Sequence, residues 1–111
     1  MNNHTVDSLK AIYEFHHEDE ITEFLKSNPK VANTLFPTYV EIKHRFRDKL
    51  DFLELVLQED EVLDTDELIV YVHHCMDHGV AVDLLDDFDE KWFNNLPIEI
   101  LTHFNVHLIM D

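Results

Sequence analysis

The chain has 111 residues, with 24 Asp or Glu against 8 Lys or Arg and a formal net charge of −16. A surface this negative repels a phosphate backbone and an anionic membrane, which disfavours nucleic-acid and lipid-surface partners and favours a basic protein or a cation. With 45% hydrophobic and 11% aromatic residues, and only one Gly and three Pro, the composition is that of a folded domain over residues 1–111 and not of a disordered acidic tail.

Taken in chain order, Val6 to Ser27 reads as helix, with Leu9, Ile12, Tyr13, Phe15, Ile21, Phe24 and Leu25 as apolar positions and a break around His16–Asp19. Asn28-Pro29 reads as a cap followed by proline at the first helical position, opening a helix to about Arg47. Val31, Leu35, Tyr39, Ile42 and Phe46 recur in it at spacings of three and four, and Pro37 is expected to kink or split it. The period then changes to two. Leu53, Leu55 and Leu57 alternate with Glu54, Val56 and Gln58, a half-buried strand over Leu50–Gln58. Glu59–Asp66 reads as an acidic hairpin loop, and Glu67–His73, rich in β-branched residues, as the second strand. Val80–Leu96 is helical again, with Ala81, Leu84, Leu85, Phe88 and Trp92 on one face, Asp77 as its cap and Pro97 as its end. Thr102–Met110 alternates Phe104, Val106 and Leu108 against His103, Asn105 and His107, a third strand.

The order α-α-β-β-α-β predicts a two-layer α+β domain: a helical part over 1–49 and a β-β-α-β part over 50–111. A hairpin followed by a right-handed crossover makes the second and third strands parallel. The expected sheet is three-stranded and mainly antiparallel, with the first strand between the other two and the helices on one face.

Charge is segregated along this order. Residues 29–49 hold five of the eight bases (Lys30, Lys43, Arg45, Arg47 and Lys49), whereas residues 50–111 hold sixteen acids and only Lys91. Within the last helix, Asp83, Asp86, Asp87 and Glu90 stand at i, i+3, i+4 and i+7, opposite the apolar face. Such like-charge spacings cost helix stability, a cost that a Lys- or Arg-rich partner relieves. A solvated outer face is the alternative explanation.

His74, Cys75 and His78 are the candidate metal ligands, with zinc the fitting ion for imidazole and thiolate. Adjacent strand residues point to opposite faces, so His73 and His74 are not expected to share an ion. Without a metal, Cys75 reads as a small buried hydrophobe. Cys75 as a nucleophile beside a histidine lacks the glycine-shaped turn that commonly forms an oxyanion hole, Gly79 being the one glycine. Phosphate-binding loops need several glycines and are excluded. On the face of the sheet away from the helices the alternation puts Phe52, Glu54, Val56, Tyr71, His73, His103, Asn105, His107 and Ile109. Apolar and aromatic groups among histidines there mark Tyr71, His73, His103 and His107 as a candidate dimer face, with an ordinary solvated face as the alternative. Trp92 is assigned to the core by its place on the apolar face.

The run Leu85-Asp86-Asp87-Phe88-Asp89-Glu90-Lys91-Trp92-Phe93 resembles the helix ending Leu-Asp-x-Phe-Asp-Glu-x-Trp-Trp of a group of short acidic bacterial proteins of cyanobacterial type. The resemblance covers residues 50–95, and more weakly Asn28-Pro29. Phe93 stands in place of the second tryptophan, and Gly79 and Val80 in place of an acidic first turn. It implies a shared small α+β fold and assigns no activity, cofactor or catalytic residue.

With one cysteine, no basic-then-apolar leader pattern and no membrane-length apolar run, the expected setting is a reducing cytoplasm. The expected function is a non-enzymatic acidic binding protein of inhibitor, immunity or antitoxin type, homodimeric, with no cofactor. The alternative is a zinc-binding protein using the His74-Cys75-His78 turn.

Overall fold

A computed structural model describes residues 6–60, 62 and 65–109. Its elements in chain order are helix α1 (Val6–Lys10), strand β1 (Glu14–His16), helices α2 (Glu18–Ser27) and α3 (Pro29–Phe46), strands β2 (Leu50–Asp60) and β3 (Thr65–His74), helices α4 (His78–Lys91) and α5 (Ile98–Leu101), and strand β4 (Phe104–Leu108). Short 3-10 turns at Arg47–Lys49 and Phe93–Asn95 join α3 to β2 and α4 to α5. No helix among the described residues is long and apolar enough to cross a membrane.

The α+β class agrees with the sequence reading, but the sheet differs in two ways. It has four strands in the order β1-β2-β3-β4. It is mixed: β1 runs parallel to β2, β2 antiparallel to β3, and β3 parallel to β4. The parallel orientation of β3 and β4 matches the expectation, but the strand order does not: β4 pairs directly with β3, and the free edge of β2 is taken by β1. The unbroken run Leu68-Ile69-Val70 of β3 suits a strand paired on both edges, and all three residues are buried. The extra strand, β1, is only three residues long. It lies inside the stretch whose apolar spacing reads as helix, and it exists by pairing Glu14, Phe15 and His16 with Glu54, Leu55 and Val56. His17, at φ 63°, takes a left-handed conformation that turns the chain from β1 into α2.

Helix boundaries also shift. The Asn28 side chain does not cap α3; its Nδ2 donates to the Phe24 carbonyl at 2.9 Å and closes α2 instead. Pro29 opens α3 at its first position, and α3 continues through Pro37 as one element. The buried hydroxyls near that proline turn inward along the helix, Thr34 Oγ1 donating to the Lys30 carbonyl and Thr38 Oγ1 to that of Thr34. At the C-terminal end of α3, Arg47 takes φ 54°, a strained value for a residue with a Cβ. Helix α4 starts where expected, since the Asp77 carboxylate accepts from the Gly79 and Val80 amides at 3.1 and 3.4 Å. It stops at Lys91, short of Pro97, and Trp92 leaves helical geometry. The hairpin strands are longer than the alternation implies: Glu59 pairs with Asp66 and Asp60 with Thr65. Of the acidic loop positions, 61, 63 and 64 lie outside the described residues.

All five helices pack on one face. Ile21, Leu35, Phe46, Ala81 and Phe88 from the helices meet Leu53, Leu55, Val70, Val72 and Phe104 from the sheet in a single apolar cluster. Trp92 packs against that cluster beside Phe88, with ring centroids 5.5 Å apart. Phe52, Val56, Ile69 and Tyr71 take no part in it. They lie on the other side of the sheet, away from the helices of the described residues.

Between α1 and β1, Tyr13 is buried and its hydroxyl donates to the Leu35 carbonyl on α3 at 2.6 Å. Burial holds this phenol well above its ordinary pKa. The bond fixes the segment leading into β1 on the long helix. Tyr13→Phe is expected to lower unfolding free energy in urea by about 0.5–1.5 kcal/mol with an unchanged m-value, the usual net worth of one hydrogen bond. An unchanged midpoint would show that the bond contributes nothing.

Candidate functional site

Helix α4 carries the acidic stripe, and its orientation sorts the four acids. Ala81 and Phe88 are fully buried and set the inward face. Asp83, Asp86 and Glu90 are exposed on the opposite face, and none of them has an ion-pair partner within 4 Å among the described residues. Asp87 is different. It turns to the flank facing α3, where one oxygen accepts from Arg45 Nε at 3.0 Å and the other pairs with Lys91 Nζ at 2.7 Å. The stripe of four is therefore an exposed set of three and one part-buried acid tied to α3. The sequence shows the i, i+4 pair Asp87–Lys91 but not Arg45, which is 42 residues away in the chain.

Arg45 makes this junction specific. Its side chain is only 11% exposed, Nη1 reaches Glu41 Oε1 at 3.0 Å, and its guanidinium carbon lies 5.8 Å from the centre of the Phe88 ring. Burial works against its charge, yet the hydrogen bonds to Glu41 and Asp87 outweigh that and raise its pKa. Lys91 first and Arg45 second hold the Asp87 carboxyl below the usual carboxylate range. On the other flank of α4, burial and the neighbouring Asp86 push Asp89 upward, while His107 on β4 pulls it down.

The His73–His78 segment does not converge. His73 and His74 point to opposite faces, as strand alternation requires. His73 faces the open side, with Nε2 3.0 Å from Glu54 Oε1 and its ring stacked on Phe52 at 4.0 Å. His74 faces the helices beside Phe46, and its Nδ1 accepts from the Met76 amide at 3.3 Å. That bond leaves the proton on His74 Nε2, which is buried with no hydrogen-bond partner among the described residues. Cys75 is exposed, so it is not a buried core residue, and His78 is the exposed first residue of α4. No three His, Cys, Asp or Glu side chains among the described residues come together to hold a metal ion. His74, Cys75 and His78 are thus not brought together as a set of ligands.

The open sheet face is built from residues the alternation identifies, with one exception and two additions. His103 precedes β4, and its Nδ1 donates to the Asp66 carbonyl at 3.1 Å, anchoring the strand and not presenting a face. Tyr71 and His107 are neighbours, with ring centroids 6.1 Å apart. Glu14 and His16 join the face from β1, and Glu54 lies between two imidazoles, 3.0 Å from His73 and 3.8 Å from His16. The only sequence signal for the β1 pair is the break at His16–Asp19. A groove of about 300 Å³ beside β1 is lined by Lys10, Tyr39, Lys43 and Phe52, but its lysines are engaged, Lys10 with Glu18 at 2.7 Å and Lys43 with the Arg47 carbonyl at 3.3 Å.

Comparison with known proteins found no matching family model, no matching curated protein and no matching solved structure. The function must be argued from these surfaces.

Asp87 and Asp89 give opposite pH signatures. The depressed Asp87 carboxyl stabilises the fold above the ordinary carboxylate pKa of about 3.9, a contribution lost as pH falls through its lower folded value. The raised Asp89 carboxyl does the reverse: the fold gains stability as pH drops from neutral through its folded pKa. Asp87→Asn is expected to lower the neutral-pH melting temperature and flatten its acid limb, whereas Asp89→Asn raises it. Equal effects in thermal melts across this range would contradict the assignment.

Proposed function

We propose that the protein is a non-enzymatic binding protein that presents the outer face of α4 to a basic protein partner, in the manner of an inhibitor, immunity protein or antitoxin. The observation that carries this reading is the division of labour on α4. Asp87 is paired within the fold, while Asp83, Asp86 and Glu90 crowd one exposed face and form no ion pair among the described residues. Like charges three and four apart on a helix oppose its formation. Helix α4 tolerates them because its start is capped by Asp77, its inner face is anchored by Phe88 and its flank is clamped by Arg45. A rigid helix with a preformed negative face loses little entropy on docking. Its field speeds encounter with a positive partner and selects that partner by sign.

The test uses three baits in extracts of the source cell: the unchanged chain, Asp83→Lys/Asp86→Lys/Glu90→Lys, and a control with the same charge change on α2, Asp19→Lys/Glu20→Lys/Glu23→Lys. The reading predicts a basic protein held by the unchanged chain and by the α2 control, released by salt and missing from the α4 variant. With that protein purified, association with the α4 variant is expected to be at least about tenfold slower at low salt. Equal capture by all three baits, or none by any, would refute the reading.

A further inference from the structure

The open face of the sheet has an internal order that goes beyond a solvated surface. Its cross-strand rows are set by the register. One row reads Glu14 on β1, Glu54 on β2, Tyr71 on β3 and His107 on β4. The next reads His16, Val56, Ile69 and Asn105 in the same strand order. On the other side of the first row, Phe52 on β2 stands opposite His73 on β3. Ile69 is only 3% exposed although it lies outside the core cluster, while Phe52 is 38% exposed.

We infer that this face packs against the same face of a second copy of the chain, about a two-fold axis that runs parallel to the strands between β2 and β3. Such an axis sets each row against its own reverse, because residue i then meets j and j meets i. Glu14 meets His107 of the second copy, Glu54 meets Tyr71, His16 meets Asn105, Val56 meets Ile69, and Phe52 meets His73. Each pairing is chemically matched: carboxylate with imidazole, carboxylate with phenol, imidazole with amide, aliphatic with aliphatic, and ring with ring. A two-fold axis lying along the first row instead sets Glu54 on Glu54 and Glu14 on Glu14, so charge selects the strand-parallel axis. The titratable and charged groups around His107 are Tyr71 on β3, Asp89 on α4 and, across the interface, Glu14.

Four strands about 4.8 Å apart, the central two about ten residues long and the outer two much shorter, offer a face of roughly 450 Å². That is below the roughly 800 Å² per partner of a standard interface, so the dimer is expected to be reversible and concentration-dependent. Two copies at −16 repel each other at long range. Added salt screens that repulsion, so it strengthens this dimer, the opposite of its effect on an acidic helix bound to a basic partner. The two surfaces can therefore fail independently.

The experiment is sedimentation velocity of the full chain from low to high micromolar concentration, at about pH 6 where imidazole is largely protonated. Glu14→Lys and His107→Glu are compared with each other and with the double variant. Both residues are exposed, and two intervening strands put them about 14 Å apart within one chain, too far to pair internally. Each single change is expected to weaken the dimer about tenfold, since symmetry applies the lost pair and its replacement repulsion twice. The double variant is expected to recover most of the loss. A chain that is monomeric at every concentration would overturn the inference. So would a dimer indifferent to both single changes, or one that the double variant does not restore.

Discussion

Arg45 is the point at which the chain's divided charge becomes a fold. Five of the eight bases lie in residues 29–49, and residues 50–111 hold sixteen acids with a single lysine. A helix drawn from the second segment cannot lie beside other acids without some local cation. The contact between α3 and α4 supplies one: a guanidinium 11% exposed, between Glu41 and Asp87 and 5.8 Å from the Phe88 ring. Geometry of this kind gives a pair more weight than an isolated surface ion pair, because a buried, fork-shaped donor loses little freedom when it binds. Where α4 sits, and which of its acids remain for other uses, follows from that contact.

The consequence is a molecule with two differently made outer faces. Outside the helix layer, α4 shows Asp83, Asp86 and Glu90. Beyond the sheet, the uncovered face shows rings, aliphatic groups and imidazoles in ordered rows. The two lie on opposite sides of the molecule. A pair of chains joined through the sheet would point one α4 outward from each end, and two such faces bind a partner carrying two basic sites more tightly than either alone.

Much of this was legible from residue spacing, and what was not has identifiable causes. The period-two stretches located β2 and β4 and assigned their faces, since a residue buried on one side forces its neighbours to the other, and the β-branched run located β3. The apolar spacing of Ala81, Leu84, Leu85, Phe88 and Trp92 located α4 and its inward face. Strand β1 was hidden because three residues carry no period, and its identity comes from pairing with β2. The central position of β3 was written in its lack of alternation, a signal easily read as mere hydrophobicity. The role of Asp87 was invisible because its decisive partner is 42 residues distant. Its neighbours on the stripe have the same chemistry and a different fate, decided by about a third of a helical turn.

The part-buried Arg45–Asp87 contact is the tie that holds α4 against α3. A double-mutant cycle measures this directly, with Arg45→Met, Asp87→Asn and their combination compared in urea unfolding, and the cycle for Lys91→Met with Asp87→Asn run alongside. The account predicts a favourable coupling between Arg45 and Asp87 that exceeds the coupling between Lys91 and Asp87 and persists at high salt. A coupling of zero for Arg45, or one no larger than that of Lys91, would contradict it.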